Sequence, residues 1–160
     1  MTIKAADFRT YILNPAMDAL VPAGIPRNPV ADALVFATIA NESLVGTWLV
    51  QSGGGPALGL GQLEPPSETT LWAEMTTAEK AAVSGMMTPE SLLTQLPYNL
   101  KLATALVRLF YWHKPFPLAA VVTTNWLWTI YRQFYNTSMG AAQMGAFIDN
   151  LSLTDIGDVP

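Results

Sequence analysis

Asn28-Pro29-Val30-Ala31-Asp32-Ala33-Leu34-Val35-Phe36-Ala37-Thr38-Ile39-Ala40-Asn41-Glu42-Ser43 carries the clearest structural signal in the chain. Pro29 suits a first helical position, where a missing N–H costs nothing. Val30, Leu34, Ala37 and Asn41 then recur at helical spacing. Asp32 is the only charge between Ala31 and Asn41, so the helix is expected to be buried. It ends near Glu42-Ser43, where a carboxylate meets the negative end of the macrodipole. Apolar neighbours there would disfavour its ionised form further. A carboxyl group held protonated near neutral pH is equipped to act as a general acid. Glu42 is therefore the first candidate catalytic residue; the plainer alternative is a solvated carboxylate at a frayed helix end.

On the C-terminal side, Gly46 to Gly61 is uncharged and punctuated by Gly53-Gly54-Gly55-Pro56. Short strands and turns suit it better than helix. On the N-terminal side, Phe8, Ile12, Met17 and Leu20 mark a helix that stops at Val21-Pro22-Ala23-Gly24-Ile25-Pro26. Helical signals resume after Pro65-Pro66, with Thr77 and Thr88 expected as N-caps. Leu96-Pro97 breaks the chain again. The series Leu102, Ala105, Leu106, Leu109 and Phe110 predicts an amphipathic helix, with Lys101 and Arg108 off its apolar face. Two more helices are expected, from about Leu118 to Phe134 and from about Gly140 to Leu151. The fold class that follows is mainly α, in one domain over residues 1–160, with a small β or irregular region.

Composition limits the function classes. Of 160 residues, 51% are hydrophobic and 12% charged, against a usual charged share of roughly 25%. Such a chain is globular rather than disordered. A net charge of −4 gives no basic footprint, so no nucleic-acid partner is expected. With no cysteine and one histidine, neither a disulfide framework nor a zinc site is expected. Mean hydropathy is +0.28, yet glycine, proline or polar residues interrupt each charge-free stretch, and no stable membrane span is expected.

Nucleotide motifs are missing. Gly53-Gly54-Gly55-Pro56 is not followed by the lysine and hydroxyl of a phosphate loop, and no dinucleotide spacing runs through Gly61. Ser52 lies in no nucleophile elbow. His113, beside Trp112 and Lys114, reads as a helix-end residue. Trp48, Trp72 and Tyr135 are aromatic candidates for a sugar-binding cleft.

Three motifs in order do carry a resemblance. Glu42-Ser43, then Gly54-Gly55-Pro56-Ala57-Leu58-Gly59-Leu60-Gly61-Gln62, then Tyr135-Asn136-Thr137, resemble the motif set of lytic transglycosylases and goose-type lysozymes. Leu63-Glu64-Pro65 and the Gly-Gly-Pro-Ala run resemble the bacteriophage members in particular. The similarity covers approximately residues 32–140. Gly61 stands where the family usually has methionine, and Thr137-Ser138-Met139-Gly140 is looser than the usual ending.

The resemblance implies a lysozyme-like α+β fold, with a substrate cleft beside the small β or irregular region. It implies cleavage of the peptidoglycan glycan strand between N-acetylmuramic acid and N-acetylglucosamine, with Glu42 as general acid and base. Ser43, Gln62, Tyr135 and Asn136 would orient the acid or contact substrate. Glu64 is the candidate second carboxylate that a water-using lysozyme would need. No cofactor or metal is implied. The expected setting is a phage virion, or the host cytoplasm before assembly, acting on the bacterial cell wall, with peptidoglycan and other virion proteins as partners. The alternatives are a catalytically degenerate structural virion protein and, on low charge alone, a membrane-perturbing lysis protein.

Overall fold

The computed structural model describes residues 3–136 and 142–156. Helix α1 (Ala5–Phe8) passes through a π-helical turn (Arg9–Leu13) into α2 (Asn14–Leu20) and a 3-10 turn (Val21–Ala23). Gly24 ends that run with φ +87°, a conformation that glycine adopts without a steric penalty. Then follow α3 (Pro29–Ser43), α4 (Pro65–Glu74), α5 (Thr77–Ser84), α6 (Leu92–Gln95) and α7 (Leu100–Trp112). Last come α8 (Thr124–Ile130), which continues as a second π-helical turn (Tyr131–Tyr135), and α9 (Met144–Leu151). The fold is a mainly α-helical single domain.

Helices α3 and α7 form its centre. Every residue from Ala31 to Ala40 is buried, as is every residue from Leu102 to Leu109. The Asn28 side chain accepts hydrogen bonds from the Val30 and Ala31 amides at 2.9 and 3.2 Å, satisfying two of the N–H groups orphaned at a helix start. Thr38 spends its hydroxyl proton on the Leu34 carbonyl at 2.9 Å. The Tyr111 phenol, 2.8 Å from the same oxygen, is then the donor, and α3 and α7 share a satisfied polar contact inside an apolar core. Helix α9 closes the C-terminal half of α3, where Asn150 donates to Asn41 Oδ1 at 3.1 Å.

Residues 44–64 contain no strand. Two isolated antiparallel bridges, Val50 with Leu58 and Leu58 with Leu63, are all the β structure among the described residues. The irregular form of the expectation holds and the strand form does not. Leu44, Val45, Gly46, Gly53, Gly54, Gly59 and Gln62 all have positive φ, which interrupts extended pairing wherever it starts.

Other local expectations need correction. The N-cap of α5 is Thr76, not Thr77; its hydroxyl accepts from the Glu79 amide while the Glu79 carboxylate accepts from the Thr76 amide, a capping box. Thr88 starts no helix, because Gln95 binds its backbone on both sides and α6 begins only at Leu92. The helix expected from Leu118 begins at Thr124, where the Thr123 hydroxyl caps the Trp126 amide. Arg108, placed off the apolar face of α7, is buried. The start of the last helix near Gly140 lies outside the described residues.

Candidate active site

Glu42 occupies the last turn of α3, partly exposed, with Ser43 fully buried behind it. The chain leaves the helix through Leu44 and Val45 at φ +48° and +49°, then Gly46 at +86°. Left-handed backbone is uncommon for leucine and an outlier for β-branched valine. It costs roughly 1–3 kcal/mol per residue and persists where the surroundings enforce it. Burial of the Val45 side chain and its carbonyl's hydrogen bond from the Ile3 amide at 3.2 Å supply that enforcement. Ser43 completes the turn, donating to the Ile39 carbonyl at 3.1 Å and accepting from the Gly46 amide at 3.2 Å. It holds the backbone that carries Glu42 and makes no hydrogen bond to the carboxylate.

The direct partner of the carboxylate is Tyr131. Its phenol donates to Glu42 Oε1 at 2.8 Å. Burial, followed by the nearby Glu42 charge, pushes the Tyr131 phenol well above its ordinary value, so it remains a neutral donor. Asn136 is the second partner. Its Oδ1 accepts from Arg132 Nη1 at 2.7 Å and from the Ala142 amide at 3.4 Å, which leaves its amide nitrogen as the group able to donate to Glu42.

These two residues meet Glu42 because the continuation of α8 is locally wound as a π-helix. The Asn136 amide donates to the Tyr131 carbonyl at 2.9 Å, an i→i−5 bond. Such single turns recur at functional sites. The winding stacks the Tyr131 and Tyr135 rings 6.3 Å apart and 16° from parallel. Tyr131 reaches Glu42 while Tyr135 reaches the irregular segment, donating to the Gly61 carbonyl at 2.7 Å. A Cβ on Gly61 would sit 2.5 Å from Tyr135 Oη and 2.5 Å from Val107 Cγ2. That close approach accounts for glycine at this position.

Desolvation dominates the electrostatics of Glu42. Burial lifts its pKa from an ordinary 4.5 to about 7, the hydrogen bonds from Tyr131 and Asn136 pull it down, and the Glu64 charge pushes it up. Near neutral pH the carboxyl group is therefore present in both protonation states, the condition for donating and then accepting a proton.

The sequence-derived candidates divide into two groups. Glu42 and Asn136 interact directly, and Glu64, exposed at the N-cap of α4, acts on Glu42 through its charge. Tyr135 adjoins the site through its ring stacking on Tyr131. Gln62 supports the loop: its side-chain amide donates to the Trp48 and Gly59 carbonyls at 3.2 and 2.9 Å. Thr137 and the segment to Gly140 lie outside the described residues. Tyr131 is the direct contact of Glu42 that the sequence did not single out, and its one signal is a position four residues before Tyr135. No group of His, Asp and Glu among the described residues is arranged to hold a metal ion, and none of their helices is long and apolar enough to cross a membrane.

Compared with protein-family profiles, curated proteins and solved structures, the chain matches none.

Proposed function

We propose that the chain cleaves the glycan strand of peptidoglycan as a lytic transglycosylase, with Glu42 as its single acid and base. The observation that carries this reading is the Glu42 carboxyl group, whose pKa is raised to about 7 by burial and whose Oε1 is fixed by the neutral Tyr131 phenol at 2.8 Å. The protonated carboxyl group of Glu42 is the donor toward substrate, with the Tyr131 and Asn136 hydrogen bonds fixing its orientation. That proton passes to the oxygen bridging N-acetylmuramic acid and N-acetylglucosamine as the bond breaks and the muramic ring takes on oxocarbenium character. The carboxylate then accepts the proton of muramic acid's own primary hydroxyl, whose oxygen closes the anhydro ring. The acid returns to its starting state, and no cofactor, metal or water is consumed. In this reading Tyr131 and Asn136 hold the acid, while Tyr135 and Gln62 hold the loop beside it. Fixing the reacting groups matters, since a displacement of about 1 Å can cost roughly a hundredfold in rate.

The charge of Glu64 acting on Glu42 favours a second reading, a water-using lysozyme in which Glu64 activates the water. Mass analysis of muropeptides released from purified peptidoglycan separates the two. Anhydro-muramyl ends are expected, and absent with Glu42→Gln; reducing ends would transfer the reaction to the lysozyme scheme. Release of no muropeptide by the parent protein would refute both and favour a structural lysozyme-like component. We further propose delivery on a phage particle, because an acidic protein gains nothing from charge attraction to an anionic wall. Its absence from purified virions would overturn this.

A further inference from the structure

A cavity lies on α3 about 12 Å toward its N-terminus from Glu42, at a rise of about 1.5 Å per residue from Leu34. It has a volume of about 130 Å³, and Ala31, Leu34, Trp112, Phe116 and Leu118 form its apolar walls. Arg108 and Lys114 are its two charged residues. Trp112 and Leu118, 42% and 38% exposed, border the way in.

Arg108 is 4% exposed. Its guanidinium lies 5.3 Å from the centre of the Trp112 ring, yet among the described residues it makes no hydrogen bond and no ion pair. Burial pushes its pKa below the ordinary value. Asp32 Oδ1 is the one fully enclosed side-chain polar atom without a partner among the described residues, so the Arg108 donors open onto the cavity, whose apolar walls offer them no acceptor. The Tyr111 phenol, also at the cavity, is engaged with Thr38. Lys114 lies 3.8 Å from Glu74, outside the cavity lining, so it adds positive charge without filling the space. The planar Arg108 fork fits two oxygens of one carboxylate or phosphate group. The Asp32 charge acts on Arg108 from nearby, which favours a single negative charge over the double charge of a phosphate. Aromatic and aliphatic walls then call for an apolar body behind the charged group.

We propose that this cavity binds a monocarboxylate carrying a short apolar chain, its carboxylate on Arg108 and its chain against Leu34, Trp112, Phe116 and Leu118. The source is either a free short-chain acid or the carboxyl terminus of a peptide with an apolar last residue. Neither the ligand nor the cavity depends on Glu42 chemistry.

Calorimetric titration of the purified protein at pH 7 with hexanoate, hexanol, inorganic phosphate and N-acetyl-leucine tests the assignment. Hexanoate or N-acetyl-leucine should bind at least about tenfold more tightly than hexanol, the effect of one charge-assisted hydrogen bond. Phosphate should bind more weakly than either. The stronger of the two carboxylates identifies the source as free acid or peptide terminus. Arg108→Gln should lose that preference. If it fails to fold, Arg108→Met serves instead, because an unbranched apolar side chain keeps contact with the cavity walls while removing the guanidinium. Glu42→Gln should bind hexanoate like the parent, which separates failure here from failure of the glycan-cleavage reading. Carboxylates binding no better than hexanol, phosphate binding best, or undiminished hexanoate binding by Arg108→Met would each overturn the proposal.

Discussion

Replacing Glu42 with glutamine should make the protein more stable at alkaline pH and leave it unchanged at acid pH. In the folded protein Glu42 keeps its proton up to about pH 7, whereas its ordinary value is 4.5. Between those values the native state binds more protons than the unfolded chain, so its stability falls as pH rises through the window. The contribution is fully present below about 4.5 and lost above about 7. At about 1.4 kcal/mol per pH unit, the interval is worth at most roughly 3 kcal/mol. Glu42 is partly exposed, so solvent screening reduces the expected difference to about 1–2 kcal/mol. Glutamine keeps an oxygen that can accept the Tyr131 hydrogen bond and has no proton to lose. Melting curves of the parent and Glu42→Gln should coincide near pH 4. By pH 8 they should separate by roughly 2–8 °C in favour of glutamine, at about 2–4 °C per kcal/mol for a domain of this size. Parallel melting curves from pH 4 to 8 would refute the claim that this carboxyl group is desolvated, and with it the case for a tuned acid.

The rate of glycan cleavage should fall as pH rises through about 7, where Glu42 ionises; a flat profile from pH 6 to 8 would assign the proton to another group. Tyr131→Phe removes a hydrogen bond that favours the ionised form, so the alkaline limb should move to higher pH while kcat drops about tenfold. An unmoved limb would reduce the phenol to packing. Gly61→Ala should destabilise by about 1–3 kcal/mol in denaturant melts, because its Cβ would meet Tyr135 Oη and Val107 Cγ2 at 2.5 Å. Arg27→Ala should cost about 2 kcal/mol, since Arg27 donates to Asp32 Oδ2 at 2.8 Å and Asp32 Oδ1 is already buried without a partner.

Where regular helix rules apply, the sequence was informative. Asn28 and Pro29 announced the start of α3, the uncharged run announced its burial, and the position of Glu42 at its end announced a perturbed acid. Local signals failed where a neighbour elsewhere in the chain decides the outcome. Thr88 has the residues of a helix start, but Gln95 takes its amide and carbonyl. Arg108 has the charge of a surface residue, but Trp112 and the α3 packing enclose it. Among the site residues, Glu42 and Asn136 could be read directly. Tyr131 could not, because nothing in Tyr131-Arg132-Gln133-Phe134-Tyr135 distinguishes a π-helical turn from an α-helical one.

The two devices that hold Glu42 are both departures from regular helix, and they meet at the Gly61 carbonyl that receives Tyr135. A regular exit from α3 would forfeit the left-handed turn that seats Val45 in the core and brings the Trp48 amide to the Ser43 carbonyl at 3.0 Å. That arrangement carries the loop whose Trp48 and Gly59 carbonyls hold Gln62, and whose Gly61 carbonyl receives Tyr135. Without the π-helical winding, the i→i−5 bond that fixes Asn136 would be lost, and Tyr135 and Tyr131 would not stack while reaching different targets. The left-handed Leu44 and Val45 cost energy locally. The gain appears only when Glu42, Tyr131 and Tyr135 are held at the same time. Strained residues persist where the surroundings enforce them, so a left-handed exit and a π-helical turn meeting at one carboxyl group support a functional site more than either feature by itself.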